Sequence, residues 1–266
     1  MKKKNIASKI YVALLMLFLY MPIAVLIFFS FNDGKTTVWK GFTLKWYVEL
    51  FNDNAIMQSL YNTLIIAVLA SVFATILGTM AAIGISNFKG FKRTAIQNAS
   101  NIPIINPEIV TGVSLMLMFT LLGVAFNFEM GFWTVLLSHI SFCTPYVILS
   151  VMPRIRRMDS HIYEAALDLG CNQWQAFTKV VIHEIMPGII SGFLLSFTYS
   201  LDDFVITYFT RGSKFQTLPI QIYTMTHKRI SPKINALSAL LFVTILVILI
   251  AINIKDRRAA KAKGLE

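Results

Sequence analysis

Charge is scarce in this chain. Asp, Glu, Lys and Arg make up only 14% of its 266 residues, against 56% hydrophobic, and the mean hydropathy is +0.66. Soluble domains carry about a quarter charged residues, so an ordinary soluble globule is excluded. Acids are scarcer still: 13 Asp and Glu stand against 24 Lys and Arg, a net charge of +11. Cysteine is almost absent. Cys143 lies in an apolar run and Cys171 in a polar insert, which excludes a disulfide framework and a cysteine zinc site. No G-x-x-x-x-G-K-[ST] run occurs, so nucleotide is not bound by a P-loop. G-x-S-x-G and H-E-x-x-H are missing too, which leaves a membrane protease or acyltransferase without its nucleophile or metal. His139 and His183 have no second ligand at metal spacing and read as hydrogen-bonded structural residues. Neither a cofactor nor a metal is expected.

What is present is long apolar runs. Six lie at 10–31, 63–85, 102–124, 132–151, 188–209 and 236–254. Each is near the ~20 residues that cross ~30 Å of hydrocarbon as a helix. The segments between them are too short to fold alone. The expected fold class is therefore all-α, a polytopic membrane bundle of six transmembrane helices forming one domain over 1–266. The first run follows Lys2, Lys3, Lys4 and Lys9. It is too long for a signal peptide core and has no A-x-A site after it, so it reads as an uncleaved helix.

Lys and Arg placement orients the bundle. With the N-terminus in the cytoplasm, the inside segments hold 16 of these residues and the outside segments 8. The positive-inside rule then puts both termini in the cytoplasm. The basic excess reflects this bias and attraction to anionic membrane lipid. No soluble basic domain exists to bind nucleic acid. The outer segment 32–62 carries Trp39, Phe42, Trp46 and Tyr47, aromatics suited to the membrane interface.

Small residues recur every fourth position in two runs: Ala70, Ala74, Gly78 and Ala82, then Gly188, Gly192, Ser196 and Ser200. Such rows let helix backbones approach closely, which predicts that spans two and five occupy the crowded centre. Pro103 and Pro107 fall at the start of the third run, where a bent helix is expected.

The polar insert 154–187 is the most distinctive stretch. Asp159-Ser160 predicts a helix start, Glu164 and Asp168 share a helix face, and Ile162, Ala165, Ala166 and Leu169 supply apolar contacts. Gly170 suits a left-handed cap. A second short helix is expected over 172–181, bearing Trp174 and Phe177. Elsewhere, three acids lie in apolar runs without Lys or Arg: Glu108, Asp202 and Asp203. A charge at the bilayer centre costs about 2.5–3.5 kcal/mol on insertion scales. Either a cation crossing the bundle is their partner, or they are protonated or bonded to Ser, Thr or Tyr of other helices. Adjacent residues point ~100° apart on a helix, so Asp202 and Asp203 cannot face one spot. Counted along the runs, Glu108 falls about a quarter of the way into span three from its cytoplasmic end, and Asp202 and Asp203 in the outer half of span five.

The run Glu164-Ala165-Ala166-x-x-x-Gly170, followed after nine intervening residues by Val180 and then Ile182, resembles the loop signature of binding-protein-dependent ABC importer permeases. His183 stands where that signature has proline, and Pro187 fills a later proline position. Ser30–Asn32, Gly131–Val147, Ser196–Phe204 and Leu218–Tyr223 resemble the spermidine/putrescine branch of that family. The resemblance implies a MetI-like type I permease in a bacterial cytoplasmic membrane. Its partners would be a second homologous permease, two cytosolic ATPase subunits and an extracytoplasmic substrate-binding protein. The chain would then be a transport subunit without its own ATPase site, moving polyamines by alternating access. Glu164, Ala165, Ala166 and Gly170 would couple to the ATPase, and Asp202, Asp203 and Glu108 would line the substrate path. Another small organic cation, or an amino-acid-like solute, is the alternative cargo. A stand-alone secondary transporter is the alternative class.

Overall fold

The computed structural model describes residues 6–34, 38–159, 161–228 and 232–262. Lys2, Lys3, Lys4, Lys35, Ser160, Arg229 and Lys263, which entered the charge and capping arguments, lie outside the described residues. Among the described residues the chain is helical and has no strand. Its helices are α1 (Ile6–Ser30), α2 (Lys45–Phe51), α3 (Asn54–Ser86), α4 (Gly90–Ile105), α5 (Glu108–Phe126), α6 (Phe132–Arg157), α7 (His161–Asp168), α8 (Gln173–Gln175), α9 (Ile182–Asp202), α10 (Val205–Thr210), α11 (Leu218–Lys228) and α12 (Pro232–Ala262). A π-helical turn, Ala176–Val181, joins α8 to α9. Five stretches are long and apolar enough to cross a membrane: Lys9–Ser30, Asn54–Ser86, Glu108–Phe126, Phe132–Arg157 and Gln173–Asp202. Over Pro232–Thr244, α12 is also apolar. Helices are the expected answer, because each satisfies its own backbone where no water is available.

The described residues divide into two compact units, Gln58–Gln221 and the segments on either side of it. In the Gln58–Gln221 unit, α6 is the central helix. Its Phe142, Cys143, Val147, Ile148, Val151 and Met152 form a core with Ala74, Ala82 and Ile85 of α3, Ile185 of α9 and Ile206 of α10. The two rows of small residues explain this packing. A Cβ on Gly78 would lie 2.6 Å from Val147 Cβ, one on Gly192 would lie 3.1 Å from Val147 Cγ1, and one on Gly188 would lie 2.8 Å from Arg154 Cγ. Both rows therefore close on α6 and are buried. The rows do permit close packing, but the helix at the centre of this unit is span four, which both rows meet and no small-residue row marked.

Two features of this unit differ from the apolar runs. Pro103 lies inside α4, and Pro107 is the N-cap of α5. The third span therefore begins after the prolines, at Glu108, rather than bending around them. Span five is not continuous either. Its helix stops at Asp202, Asp203 is extended at ψ 126°, and the chain restarts as α10. Gly112 of α5 takes this short helix at close range, since a Cβ there would lie 2.8 Å from Phe209 Cδ2.

In the other unit, α1 and α2 both pack against α12. Asn32 organises the turn after α1: its side chain donates to Val38 O and accepts from Lys40 N, and its carbonyl accepts from Trp46 Nε1 at 2.8 Å. Ser30 Oγ and Tyr47 OH are 2.7 Å apart. Trp46 is consequently buried rather than an interfacial anchor, whereas Trp39 and Phe42 stay exposed. On α12, Lys233 pairs with Glu49 at 3.4 Å and Asp53 at 3.5 Å.

Candidate functional site

The break after α9 creates a polar interior. Asp203 is buried and serves the exposed backbone of α10: Thr207 N donates to Oδ2 at 2.8 Å, Thr207 Oγ1 to Oδ2 at 2.7 Å, and Ile206 N to Oδ1 at 3.2 Å. This is helix capping by a carboxylate, favoured by the orphan N–H groups and the dipole of the helix start. His139 of α6 completes the network. Its Nδ1 is 2.7 Å from Ser200 Oγ, and its Nε2 is 2.9 Å from Thr207 Oγ1 and 3.3 Å from Asp203 Oδ2. One imidazole thus ties α6 to both sides of the break. The expected structural role of His139 is what the geometry shows. His183 differs, because it lies exposed on the first turn of α9.

Asp202, one residue earlier, has the opposite environment. It is exposed, and it lines a cleft of about 220 Å³ with Glu108, Phe142, Tyr199, Asp203, Phe204 and Val205. Glu108 is exposed as the first residue of α5. The structure therefore brings all three acids to one place, with Glu108 at the very start of the third span. Of the three acids, Asp203 is committed to the fold, while Glu108 and Asp202 open onto the cleft. No Lys or Arg lines it.

Phe142, Tyr199 and Phe204 are the cleft's aromatic lining. Behind it, the ring of Tyr146 lies 4.3 Å from that of Tyr199, and Phe142 meets both edge-on. The sequence reading missed these tyrosines. One local signal existed: Tyr199 is three residues before Asp202 and so shares its helix face. Nothing local marked Tyr146 or His139, which arrive from another helix.

The insert forms a separate surface. Asp159 caps α7, accepting from His161 N at 3.0 Å and lying 2.8 Å from His161 Nδ1. The backbone hydrogen bond from His161, and then that from its ring, hold the Asp159 carboxyl below its usual range. The same side-chain bond pushes the His161 imidazole up. At the other end, Gly170 N donates to Leu167 O and Cys171 N to Ala166 O, with Gly170 at φ +86°. That is a Schellman cap, which requires a left-handed residue. Asn172 then opens α8 by a reciprocal pair with Gln175. The predicted second helix does not end at 181 but runs through the π turn into α9. The apolar contacts expected within the insert are mostly absent. Ala166 is buried, but Glu164, Ala165 and Gly170 are exposed, Leu169 is 86% exposed and Trp174 72%.

An exposed, doubly capped helical elbow thus lies between two spans. Residues 74–261 match the family described as binding-protein-dependent transport system inner membrane component. The chain belongs to this family. It is 36% identical over 245 residues to the spermidine/putrescine transport system permease protein PotC of Escherichia coli, covering 92% of this chain and 91% of that protein. It is 40% identical over 228 residues to the putrescine transport system permease protein PotI of the same organism, covering 84% and 81%. Among solved structures, a bacterial ABC transporter for the import of the acidic polysaccharide alginate superposes with a TM-score of 0.68 at 19% identity, covering 95% of this chain and 94% of that one. The fold is that of the ABC importer permeases. The protein is a multi-pass component of the cytoplasmic membrane and a transport subunit.

Proposed function

We propose that this chain is the permease subunit of an ATP-driven importer of polyamines, and that Glu108 and Asp202 lie on the cargo's path. The observation that carries the reading is the cleft at the α9 break: two exposed carboxylates, no Lys or Arg in its lining, and the rings of Phe142, Tyr199 and Phe204. A polyamine carries several ammonium groups joined by methylenes. Carboxylates offset its charge, and rings accept its ammonium and methylene groups. The curated relatives support this cargo. A small monovalent organic cation or an amino-acid-like solute is the second reading, since one carboxylate would serve it.

In this reading the chain acts as one permease domain with six spans, the sixth being α12. The 2:1 excess of Lys and Arg on one side supports cytoplasmic termini. It works with a second homologous permease, two cytosolic ATPases and an extracytoplasmic binding protein. Energy comes from the ATPases, because the sequence has no P-loop. Glu164, Ala165, Ala166 and Gly170, together with exposed Leu169 and Trp174, form the ATPase-docking elbow. The unbroken helical path from α8 into α9 leads from that elbow to Asp202, so a push at one end is felt at the cleft.

Uptake of labelled spermidine by the assembled transporter tests the cleft. Asp202→Asn combined with Glu108→Gln should raise the transport KM by tenfold or more while leaving assembly intact. Unchanged uptake kinetics in the double variant would remove the cleft from the path. An equal loss for a monovalent amine would favour the second cargo reading.

A further inference from the structure

We infer that the face shared by α4 and the end of α6 is a binding site for the phosphate of an anionic phospholipid, held by Arg93 and Arg156. The first observation is an orphan donor. Arg93 Nε is buried and has no hydrogen-bond partner. Buried polar groups in native folds are satisfied, and leaving one unpaired costs free energy. The second observation is the absence of counter-charge. Among the described residues no carboxylate pairs with Arg93, Arg154, Arg156 or Arg157. The third is placement. Arg156 Nη2 donates to Gln97 Oε1, and Gln97 lies one helical turn beyond Arg93 on the same face of α4. Arg156 of α6 therefore reaches the face of α4 that carries Arg93. Arg154, two residues before Arg156, has its stem against Gly188.

The surroundings choose the source of the phosphate. No residue of α4 is buried. Its Phe91 is 86% exposed, Ile102 63% and Ile105 81%, beside the cationic Lys92 and Arg93. A helix that presents both large apolar side chains and cations suits the headgroup–acyl boundary. Basic pockets between membrane helices take anionic headgroups in this way. A free phosphate would use the arginines and leave the apolar rim idle, whereas a phospholipid uses both. The site is independent of the cargo reading and of the acids at the α9 break.

The test uses the assembled transporter, delipidated in detergent and titrated with phosphatidylglycerol, phosphatidylcholine or inorganic phosphate under native mass spectrometry. The wild-type complex should retain phosphatidylglycerol in preference to phosphatidylcholine, and inorganic phosphate should not displace it. Each neutralised arginine should weaken binding about fivefold, so R93Q/R156Q should lose roughly 25-fold. R93K, which keeps charge but removes Nε, should fall between. K214Q, whose partner Glu129 belongs to a different exposed pair, should bind as wild type. Unchanged binding by the double variant would overturn the proposal, as would equal retention of the two lipids. Displacement by inorganic phosphate would make it a free-anion site, and loss of lipid whenever the ATPases are bound would make it a protein contact; either result overturns the lipid assignment. If R93Q fails to assemble, photoactivatable phosphatidylglycerol on the wild-type complex decides, since cross-links away from α4 and the end of α6 would refute it.

Discussion

Replacing Asp203 with alanine removes the acceptor that holds the α9 break together. Three donors lose their partner: Ile206 N, Thr207 N and Thr207 Oγ1, and His139 Nε2 loses its 3.3 Å neighbour. Each orphaned buried group costs about 1–3 kcal/mol, and some donors can turn elsewhere, Thr207 Oγ1 towards His139 among them. The expected destabilisation is about 3–5 kcal/mol, the sum of two or three such orphaned groups. For a domain of this size that lowers the melting temperature by roughly 10 °C. Asp203→Asn keeps one acceptor oxygen and should fall between. Asp202→Asn, on an exposed neighbour, should leave the melting temperature within about 1 °C while impairing uptake. Thermal unfolding of the purified complex, followed alongside uptake, separates the two acids. If Asp203→Ala melts with the wild type, the capping argument is wrong.

Gly78→Leu should disrupt assembly, because its Cβ would already sit 2.6 Å from Val147 Cβ. Overpacking costs about 1–3 kcal/mol, and Val147→Ala should recover part of the lost melting temperature. Glu164→Arg should abolish cargo-dependent ATP hydrolysis without lowering the melting temperature, since Glu164 is exposed; full stimulation by cargo would contradict its docking role. The Asp159–His161 pair should titrate as a coupled cap. Asp159 is lowered, so its contribution is present above its unfolded pKa and is lost as pH falls through the folded value. His161 is raised above 6.5, so its contribution is full below that value and is lost as pH rises through the folded one. The cap is therefore strongest in mildly acidic solution, and NMR should show the His161 midpoint fall towards 6.5 in Asp159→Asn.

The sequence by itself determined the membrane class, the approximate places of the spans, the polar elbow and the rows of small residues. These are local properties: run length sets spanning ability, helical spacing sets faces, and a glycine after an amphipathic turn sets a cap. Tertiary structure decided what those features meet. It made α6 the shared partner of both rows, because Val147 fits opposite Gly78 and Gly192, a match across helices that no single span encodes. It also divided two adjacent aspartates into unlike roles. His139 lies over sixty residues from Asp203 in the chain, so the network that buries one acid, and leaves the other facing Glu108 and Tyr199, exists only once the helices have packed.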